Sequence, residues 1–372
     1  MSLNRWLGLW TNRGRVRPRV DTTVAAQPGP APAPATAPNG GAPAAAPLPA
    51  SAAPPRASAP EESQAQQAEE EAPAARRFRF FCWMLGAVPN AARPPAHGAL
   101  VGEMLGRVDE IIASESLRAG LLPRAPHVIP QLMKTLRDEG YSAADVASRI
   151  SRDAVLTAEV VRSASGILQR GEDAGDDEID LGRAVAVVGT QGLRRAIANV
   201  VLRPIFDTRG SSLSARAAAQ IWKDADRKAR LCSALAGQAG LDAFDGYLAG
   251  LLHNSGWTAV LRAIDNLEDL SIGVADVSHP EVVPHVLRRR DTLFGALVAP
   301  WKLGAAIDGL AEEVARVGLD AVQSPLGAAL RDADRLAALR ALAPAGSRPA
   351  TTVPGWSSLG QPVQDAYSGL PA

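Results

Sequence analysis

Apolar residues recur at intervals of three and four along most of the chain that follows Arg76. This spacing places them on one face of an α-helix. It is clearest in residues 144–150, 154–165, 181–188, 214–239 and 243–264. Strict alternation of apolar and polar residues, which marks a half-buried strand, is nearly absent. The pattern therefore predicts an all-α folded unit.

Residues suited to helix ends stand where these segments begin and stop. Ser142 and Asp153 precede apolar segments and can accept hydrogen bonds from the first free backbone N–H groups. Gly166, Gly189 and Gly240 follow such segments, where a left-handed residue commonly ends a helix. These signals support the helical interpretation and give it approximate boundaries.

The first 75 residues have a different composition. Residues 25–59 are mostly alanine and proline, and residues 61–71 add an acidic run. Proline removes backbone donors and favours extended conformations, and like charges keep a segment extended. We predict a basic and aromatic peptide at 1–20, a disordered Pro/Ala-rich and acidic linker at 21–75, a helical extension at 76–120, a helical domain at 121–342 and a flexible tail at 343–372.

The N-terminal peptide combines an apolar stripe with a run of arginines. Such a peptide can dock in a groove of a partner protein or rest on an anionic membrane surface, and it can equally be a disordered tail with incidental tryptophans. These three readings stay open from the sequence. The residues that would make a partner or membrane contact are Leu3, Trp6, Leu7, Trp10, Arg13 and Arg15.

Charge and cysteine content narrow the class of protein. The 39 basic and 39 acidic residues balance, which argues against a general nucleic-acid binder. Cys82 and Cys232 lie far apart in the sequence, so a disulfide framework is not expected and a reducing compartment fits. No apolar run approaches the roughly 20 residues of a membrane span. We therefore expect a cytoplasmic protein.

The most informative candidate for chemistry is the end of the apolar run at 250–257. His253 delivers an imidazole there, and Asn254 follows it. A hydrolase that binds a divalent metal at such a position would place a carboxylate beside the imidazole, because the carboxylate neutralises the cation and fixes its geometry. Asn254 offers a neutral amide instead.

Six short segments stand in a recognisable order. They are LPRAP at 122–126, ISRDAVLT at 150–157, IDLGRAV at 179–185 followed by Val188-Gly189, Ile221-Trp222, LAGLLHNSG at 248–256 and DADRLA at 332–337. In this order they resemble the HDOD domain, a relative of the HD phosphohydrolases that has generally lost the metal ligands. The resemblance covers about residues 121–342 and implies a multi-helical, HD-related fold.

The resemblance also implies which positions correspond to the metal site. An HD phosphohydrolase holds its metal through an upstream histidine, an adjacent His-Asp pair and a distant aspartate. The corresponding residues here are Asp224, His253, Asn254 and Asp334, which we call the HD-equivalent positions. Only two of the four ligand types are present, so we expect no bound metal, no cofactor and no catalytic residue.

The sequence also suggests what these side chains do instead. His253 is expected to be a packed histidine bonded to neighbouring backbone or to Asp334. Lys223 and Arg227 lie close to Asp224 in sequence and are expected to neutralise it.

The resemblance implies a function as well as a fold. We expect a non-enzymatic bacterial signal-transduction or adaptor protein that binds protein partners and no nucleic acid. Two alternatives remain open from the sequence. One is a metal-dependent phosphohydrolase, and the other is a pocket that senses a nucleotide without hydrolysing it.

Overall fold

The computed structural model describes residues 72–89, 98–122, 158–161, 181–208, 210 and 212–371. All of them belong to the second of two compact units, residues 60–372. Residues 1–71, which include the N-terminal peptide and all but the last four residues of the predicted linker, and the segments 90–97, 123–157 and 162–180 lie outside the described residues. The predictions made for them, including the helix ends at Ser142, Asp153 and Gly166, stay predictions.

Helices follow one another through the described part of the chain, and no strand occurs within it. The all-α prediction is confirmed. In chain order the helices are α1 (Pro73–Leu85), α2 (Gly98–Ala113), α3 (Glu115–Ala119), α4 (Leu181–Leu202), α5 (Leu213–Gln238), α6 (Ala243–His253), α7 (Ser255–Asp265), α8 (Val274–Val277), α9 (Val283–Val298), α10 (Ala305–Val317), α11 (Pro325–Leu342), α12 (Pro349–Thr352) and α13 (Gln361–Ser368).

Helix α5 is the longest element and forms the centre of the fold. The Ser212 side chain caps it by accepting a hydrogen bond from the Ala215 N–H at 3.4 Å. Gly240 stands just past its end with a φ of 72°, as the sequence predicted. The helix packs most extensively against α6 and α11, and also contacts α1, α7 and α13. This arrangement brings residues distant in sequence around one buried helix.

Two interruptions of the helical periodicity matter for the fold. Gly189 has φ 65° and ψ 179°, which ends the first part of α4 where the sequence predicted a helix end. The apolar segment at 243–264 is divided at Asn254 into α6 and α7, and α6 ends at His253. At this corner an added Cβ on Gly256 would lie 2.4 Å from the carbonyl oxygen of Arg290, so α7 meets the backbone of α9 closely.

The prediction of a flexible tail at 343–372 is wrong for residues 349–371. Helices α12 and α13 lie in this segment, and α13 packs against α5. Val363 and Tyr367 are buried, and Arg340 donates a hydrogen bond to the Leu370 carbonyl at 3.0 Å. The physical reason is the burial of apolar surface, because a few apolar side chains of this segment pack against α5 despite the surrounding glycines and prolines.

Helix α1 forms the beginning of the described fold and packs against α5, α9 and α11. Cys82 on α1 and Cys232 on α5 are both buried and free. Within the described residues, every helix falls short of the length and apolarity that crossing a bilayer requires.

Candidate functional site

Close contact between α5 and α6 positions the site. An added Cβ on Gly246 would lie 2.6 Å from the Cys232 carbonyl oxygen, and one on Gly250 would lie 2.6 Å from the Lys228 carbonyl oxygen. Only glycine allows backbones to approach so closely. The two glycines, one turn apart, therefore let α6 lie directly on α5. As a result, His253 at the end of α6 comes within reach of Lys228.

The HD-equivalent positions converge on the ammonium group of Lys228. The Lys228 Nζ lies 2.5 Å from Asp334 Oδ1, 2.6 Å from Asn254 Oδ1, 3.2 Å from His253 Nδ1 and 3.5 Å from Asp224 Oδ2. The Lys228 side chain has no solvent exposure. The three nearest acceptors match the three N–H groups of an ammonium. A buried lysine is thus the cation of this site.

The amide of Asn254 uses both of its ends. Its Oδ1 accepts from Lys228, and its Nδ2 donates to Asp224 Oδ2 at 2.8 Å and to the Ile221 carbonyl at 3.1 Å. A carboxylate at this position could not donate either bond and would face Asp224 as a second anion. The asparagine therefore fits a site whose cation is provided by Lys228.

His253 is fully buried between two partners. Because an ammonium only donates, His253 Nδ1 accepts from Lys228, and Nε2 carries the proton and donates to Asp291 Oδ1 at 3.2 Å. Burial, together with the positive charges of Lys228 and Arg290, lowers the pKa of His253 to about 4. The imidazole is neutral near pH 7. The expected bond to Asp334 is absent, since His253 Nδ1 and Asp334 Oδ1 lie 4.0 Å apart.

A second ion pair, between Arg290 and Asp291 on α9, holds His253 from the other side. Arg290 Nη2 lies 2.7 Å from Asp291 Oδ1, and its guanidinium stacks on the Trp257 ring at 4.8 Å. Asp291 also accepts from the Leu319 N–H at 2.9 Å. Burial alone would raise the pKa of Asp291, but Arg290 and the bond from His253 lower it to about 2. The histidine is therefore clamped between Lys228 and an ionised aspartate.

The two carboxylates nearest Lys228 differ in their environments. Burial raises the pKa of Asp224, although Lys228 opposes the shift. Burial also acts to raise the pKa of Asp334, but Lys228 and Arg290 reverse the effect and hold it well below its usual value. The Asp334 side chain keeps 23 % exposure, whereas Asp224 keeps 2 %. Asp334 is therefore the principal counter-ion of Lys228.

Of the two residues expected to neutralise Asp224, Lys223 is exposed. The charge of Arg227 does help to lower the pKa of Asp224, although its guanidinium stacks over Trp83 at 5.7 Å and donates to the Pro371 carbonyl. The largest neutralising charge comes from Lys228. The signal for it was the Asp224-to-Lys228 spacing of four residues, which puts both side chains on one face of a helix.

Arg290 and Asp291 were also missed by the sequence reasoning. The available signal for Arg290 was the apolar stripe of α9. Val283, Val286 and Leu293 are buried at helical spacing, and Arg290 falls on the same face. An arginine on a buried stripe indicates a specific internal partner.

Helix α1 borders the solvent side of this cluster. A cavity of about 180 Å³ lies between α1 and α11, and its wall includes Arg77, Phe80, Trp257, Arg331 and Asp334. Arg77 forms an ion pair with Asp320 across this opening. The cavity connects the surface to the edge of the site through Asp334.

The family model for the HDOD domain matches residues 122–307. The chain belongs to the HDOD domain family. The match includes His253 and Asn254 and ends before Asp334. No curated protein matches the chain in sequence.

Two solved structures are similar to the chain. One is described as a "Putative metal-dependent phosphohydrolase" from Shewanella amazonensis SB2B, with 18 % identity, a TM-score of 0.51 and coverage of 73 % of this chain and 98 % of that one. Another is an HDOD domain protein of unknown function from Geobacter sulfurreducens, with 22 % identity, a TM-score of 0.44 and coverage of 72 % and 89 %. The first of these likenesses supports an HD-related fold.

The residues present do not fit the metal that an HD-related fold implies. Within the described residues, no group of three or more histidine, cysteine, aspartate or glutamate side chains is placed to hold a metal ion. The donors that remain, His253 Nδ1, Asn254 Oδ1 and Asp334 Oδ1, are directed at the Lys228 ammonium within 3.2 Å. A metal ion would have to displace that ammonium.

Proposed function

We propose that this HDOD protein is a non-enzymatic signal-transduction or adaptor protein that acts through protein–protein interaction of its helical domain. One observation carries the proposal: the Lys228 ammonium lies where the HD-equivalent positions converge. A hydrolase of the HD type needs a metal there to activate water and to stabilise charge on phosphorus.

Electrostatic repulsion by the Lys228 ammonium disfavours a metal ion at this site. A divalent cation about 3 Å from an ammonium is repelled by on the order of 10 kcal/mol, even at an effective dielectric constant near 20. Asn254 is neutral, so the residue that follows His253 provides no carboxylate to offset this repulsion. Protonated Lys228 and a metal ion therefore compete for one place, and the hydrogen bonds favour the lysine.

The same network suits a rigid scaffold. The described partners satisfy every donor of Lys228 and both ends of the Asn254 amide. A buried polar network whose donors are paired helps to fix the relative positions of the helices that supply it. Here it ties α5, α6 and α11 together, while Asp224 Oδ1 has no hydrogen-bond partner among the described residues.

A hydrolysis assay tests the non-enzymatic part of the proposal. Full-length protein is incubated with Mn²⁺ or Mg²⁺ and with bis(p-nitrophenyl) phosphate, cyclic dinucleotides or mononucleotides. We expect the rate of the wild type to equal that of the His253→Ala variant. The rival reading is a metal-dependent phosphohydrolase, as one structural neighbour is described. A metal-dependent rate that disappears in His253→Ala would establish that reading and overturn ours.

Cross-linking and affinity purification test the adaptor part. Tagged full-length protein is cross-linked in its native host, and cross-linked residues are mapped by mass spectrometry. We expect a saturable protein partner with cross-links on the helical domain. A matched variant, Trp6→Ala with Trp10→Ala, shows whether the N-terminal peptide recruits the partner or the membrane. Recovery of nucleic acid alone, or of no saturable partner, would count against the proposal.

A nucleotide-sensing pocket is a second candidate function. It is favoured by the cavity of about 180 Å³ beside Asp334, whose wall carries Arg77, Arg331 and Arg335. Thermal-shift measurements with nucleotides test it, because a ligand that binds the folded state raises its melting temperature. No shift with any nucleotide would refute this candidate.

A further inference from the structure

A second and larger cavity lies away from the HD-equivalent positions. Its volume is about 640 Å³, and it is a half-open pocket bounded by α4, α5, α6 and α13. This volume is within the range typical of small-molecule sites. Much of its wall is made of small residues, such as Gly192, Ala196 and Ala234. None of the four HD-equivalent side chains contributes to the wall.

Arg195 on α4 lines this cavity without a counter-ion. Its Nη2 donates to Ser233 Oγ at 2.7 Å, and its guanidinium lies over the Tyr247 ring at 5.5 Å. Its Nε is buried and has no hydrogen-bond acceptor, and no carboxylate of the described residues forms an ion pair with it. Arg195 is part-buried, and leaving a part-buried guanidinium without a counter-ion is costly. Such a group can take an acceptor that the described residues do not supply.

The surroundings add a second arginine, hydrogen-bonding groups and one carboxylate, Asp365 on α13, which accepts from Gln361 at 2.7 Å. Arg230 lines the same cavity, pairs with Asp226 at 3.0 Å, and keeps 41 % exposure. Tyr247 donates to Asn199 Oδ1 at 2.7 Å, which fixes two more polar side chains in the wall. Two guanidinium groups above a small-residue floor form a typical arrangement for an oxyanion, since the planar fork of arginine matches its oxygens.

We propose that this cavity binds a small metabolite bearing a carboxylate or a phosphate. The oxyanion takes the free donors of Arg195 and is shared with Arg230, and the remainder of the ligand fills the space against Ala196 and Ala234. This site is independent of the proposed adaptor role. It gives the helical domain a ligand input that is separate from the Lys228 cluster.

Calorimetric titration of the full-length protein tests the proposal. The probes are inorganic phosphate, pyrophosphate and citrate, added at constant ionic strength. We expect saturable binding of at least one probe, and the comparison of citrate with the phosphates tells carboxylate from phosphate. Arg195→Gln should raise the Kd of the bound probe by at least about tenfold, because the charged hydrogen bonds from Arg195 are lost. Two control variants should leave Kd unchanged. One is Arg316→Gln, at an exposed arginine, and the other is Arg331→Gln, at an arginine that lines the smaller cavity.

Two further measurements keep the result interpretable. Arg195→Gln should leave the melting temperature of the free protein unchanged or raise it, because it removes an unpaired charge. Ala234→Leu keeps the arginine but narrows the cavity, and it should also abolish binding. The proposal is overturned if the wild type binds none of the three probes saturably. It is equally overturned if a folded Arg195→Gln variant binds as well as the wild type, or if Arg331→Gln alone abolishes binding.

Discussion

Replacing Lys228 by methionine is the sharpest perturbation of the buried cluster. Methionine has a similar length and volume, so the change removes the charge and the donors while leaving little empty space. The Nζ atom currently lies 2.5 Å from Asp334 and 2.6 Å from Asn254. Without it, Asp334 and the Asn254 carbonyl lose their donor.

The expected cost follows from these contacts. Breaking a buried ion pair by removing one partner costs about 3–5 kcal/mol. Asp334 keeps 23 % exposure and lies 3.9 Å from Arg290, so water and that arginine compensate in part. We therefore expect a loss near the lower end, about 3 kcal/mol. That is a large fraction of the roughly 5–15 kcal/mol that stabilises a typical protein.

Urea denaturation followed by far-UV circular dichroism measures the loss. The matched control is Lys223→Met, which changes an exposed lysine on the same helix and should alter the free energy of unfolding by less than about 0.5 kcal/mol. Adding Asp334→Asn to Lys228→Met should recover part of the loss, because both charges are then absent. A cost below about 1 kcal/mol for Lys228→Met would refute the reasoning.

Three further predictions concern His253, the glycine contact and the C-terminal helices. Burial and nearby cations lower the pKa of His253 in the folded state from 6.5 to about 4, so the unfolded chain binds more protons between those pH values. The free energy of unfolding should therefore fall by up to about 3 kcal/mol as the pH drops from 6.5 to 4. A wild-type stability that does not change with pH in this range, or the same slope in His253→Gln, would contradict this prediction. Gly250→Ala should lower the free energy of unfolding by about 2 kcal/mol or more, because the new Cβ would lie 2.6 Å from the α5 backbone. The control Gly309→Ala, whose Cβ would have no atom within 4 Å, should be neutral or stabilising. Equal effects of the two variants in urea denaturation would show that α6 does not lie on α5. Val363→Ala should lower the free energy of unfolding by about 1.5 kcal/mol, because Val363 is fully buried. The control Val88→Ala, at a valine that is 87 % exposed, should lower it little. Equal losses would mean that α13 is not packed in solution.

The helical content could be predicted from the sequence because each amphipathic stretch carries its own period. The end of α6 at His253 coincides with the end of an apolar run in the sequence. The close contact of Gly256 with the α9 backbone could not be predicted, because it joins residues far apart in the chain. Residues 343–372 were predicted to be a flexible tail, but Val363 and Tyr367 are buried and α13 packs against α5. This packing joins distant parts of the chain, so the local sequence did not indicate it.

The four residues of the site could be predicted from the sequence, but the lysine at its centre could not. Resemblance to the family indicated that Asp224, His253, Asn254 and Asp334 belong together, and the structure brings all four around one atom. Lys228 was overlooked because a lysine in an alanine-rich helix usually lies at the surface. Only the three-dimensional arrangement shows it buried, and it changes the meaning of Asn254 from a lost ligand to a donor in a new network.

Metal content is the most direct test of the claim that Lys228 takes the place of a metal ion. Full-length wild type and His253→Ala are dialysed against Mn²⁺ or Zn²⁺, freed of excess metal and analysed by inductively coupled plasma mass spectrometry. We predict bound metal far below one ion per chain, with no difference between the two proteins. One ion per chain in the wild type, lost in His253→Ala, would contradict the account.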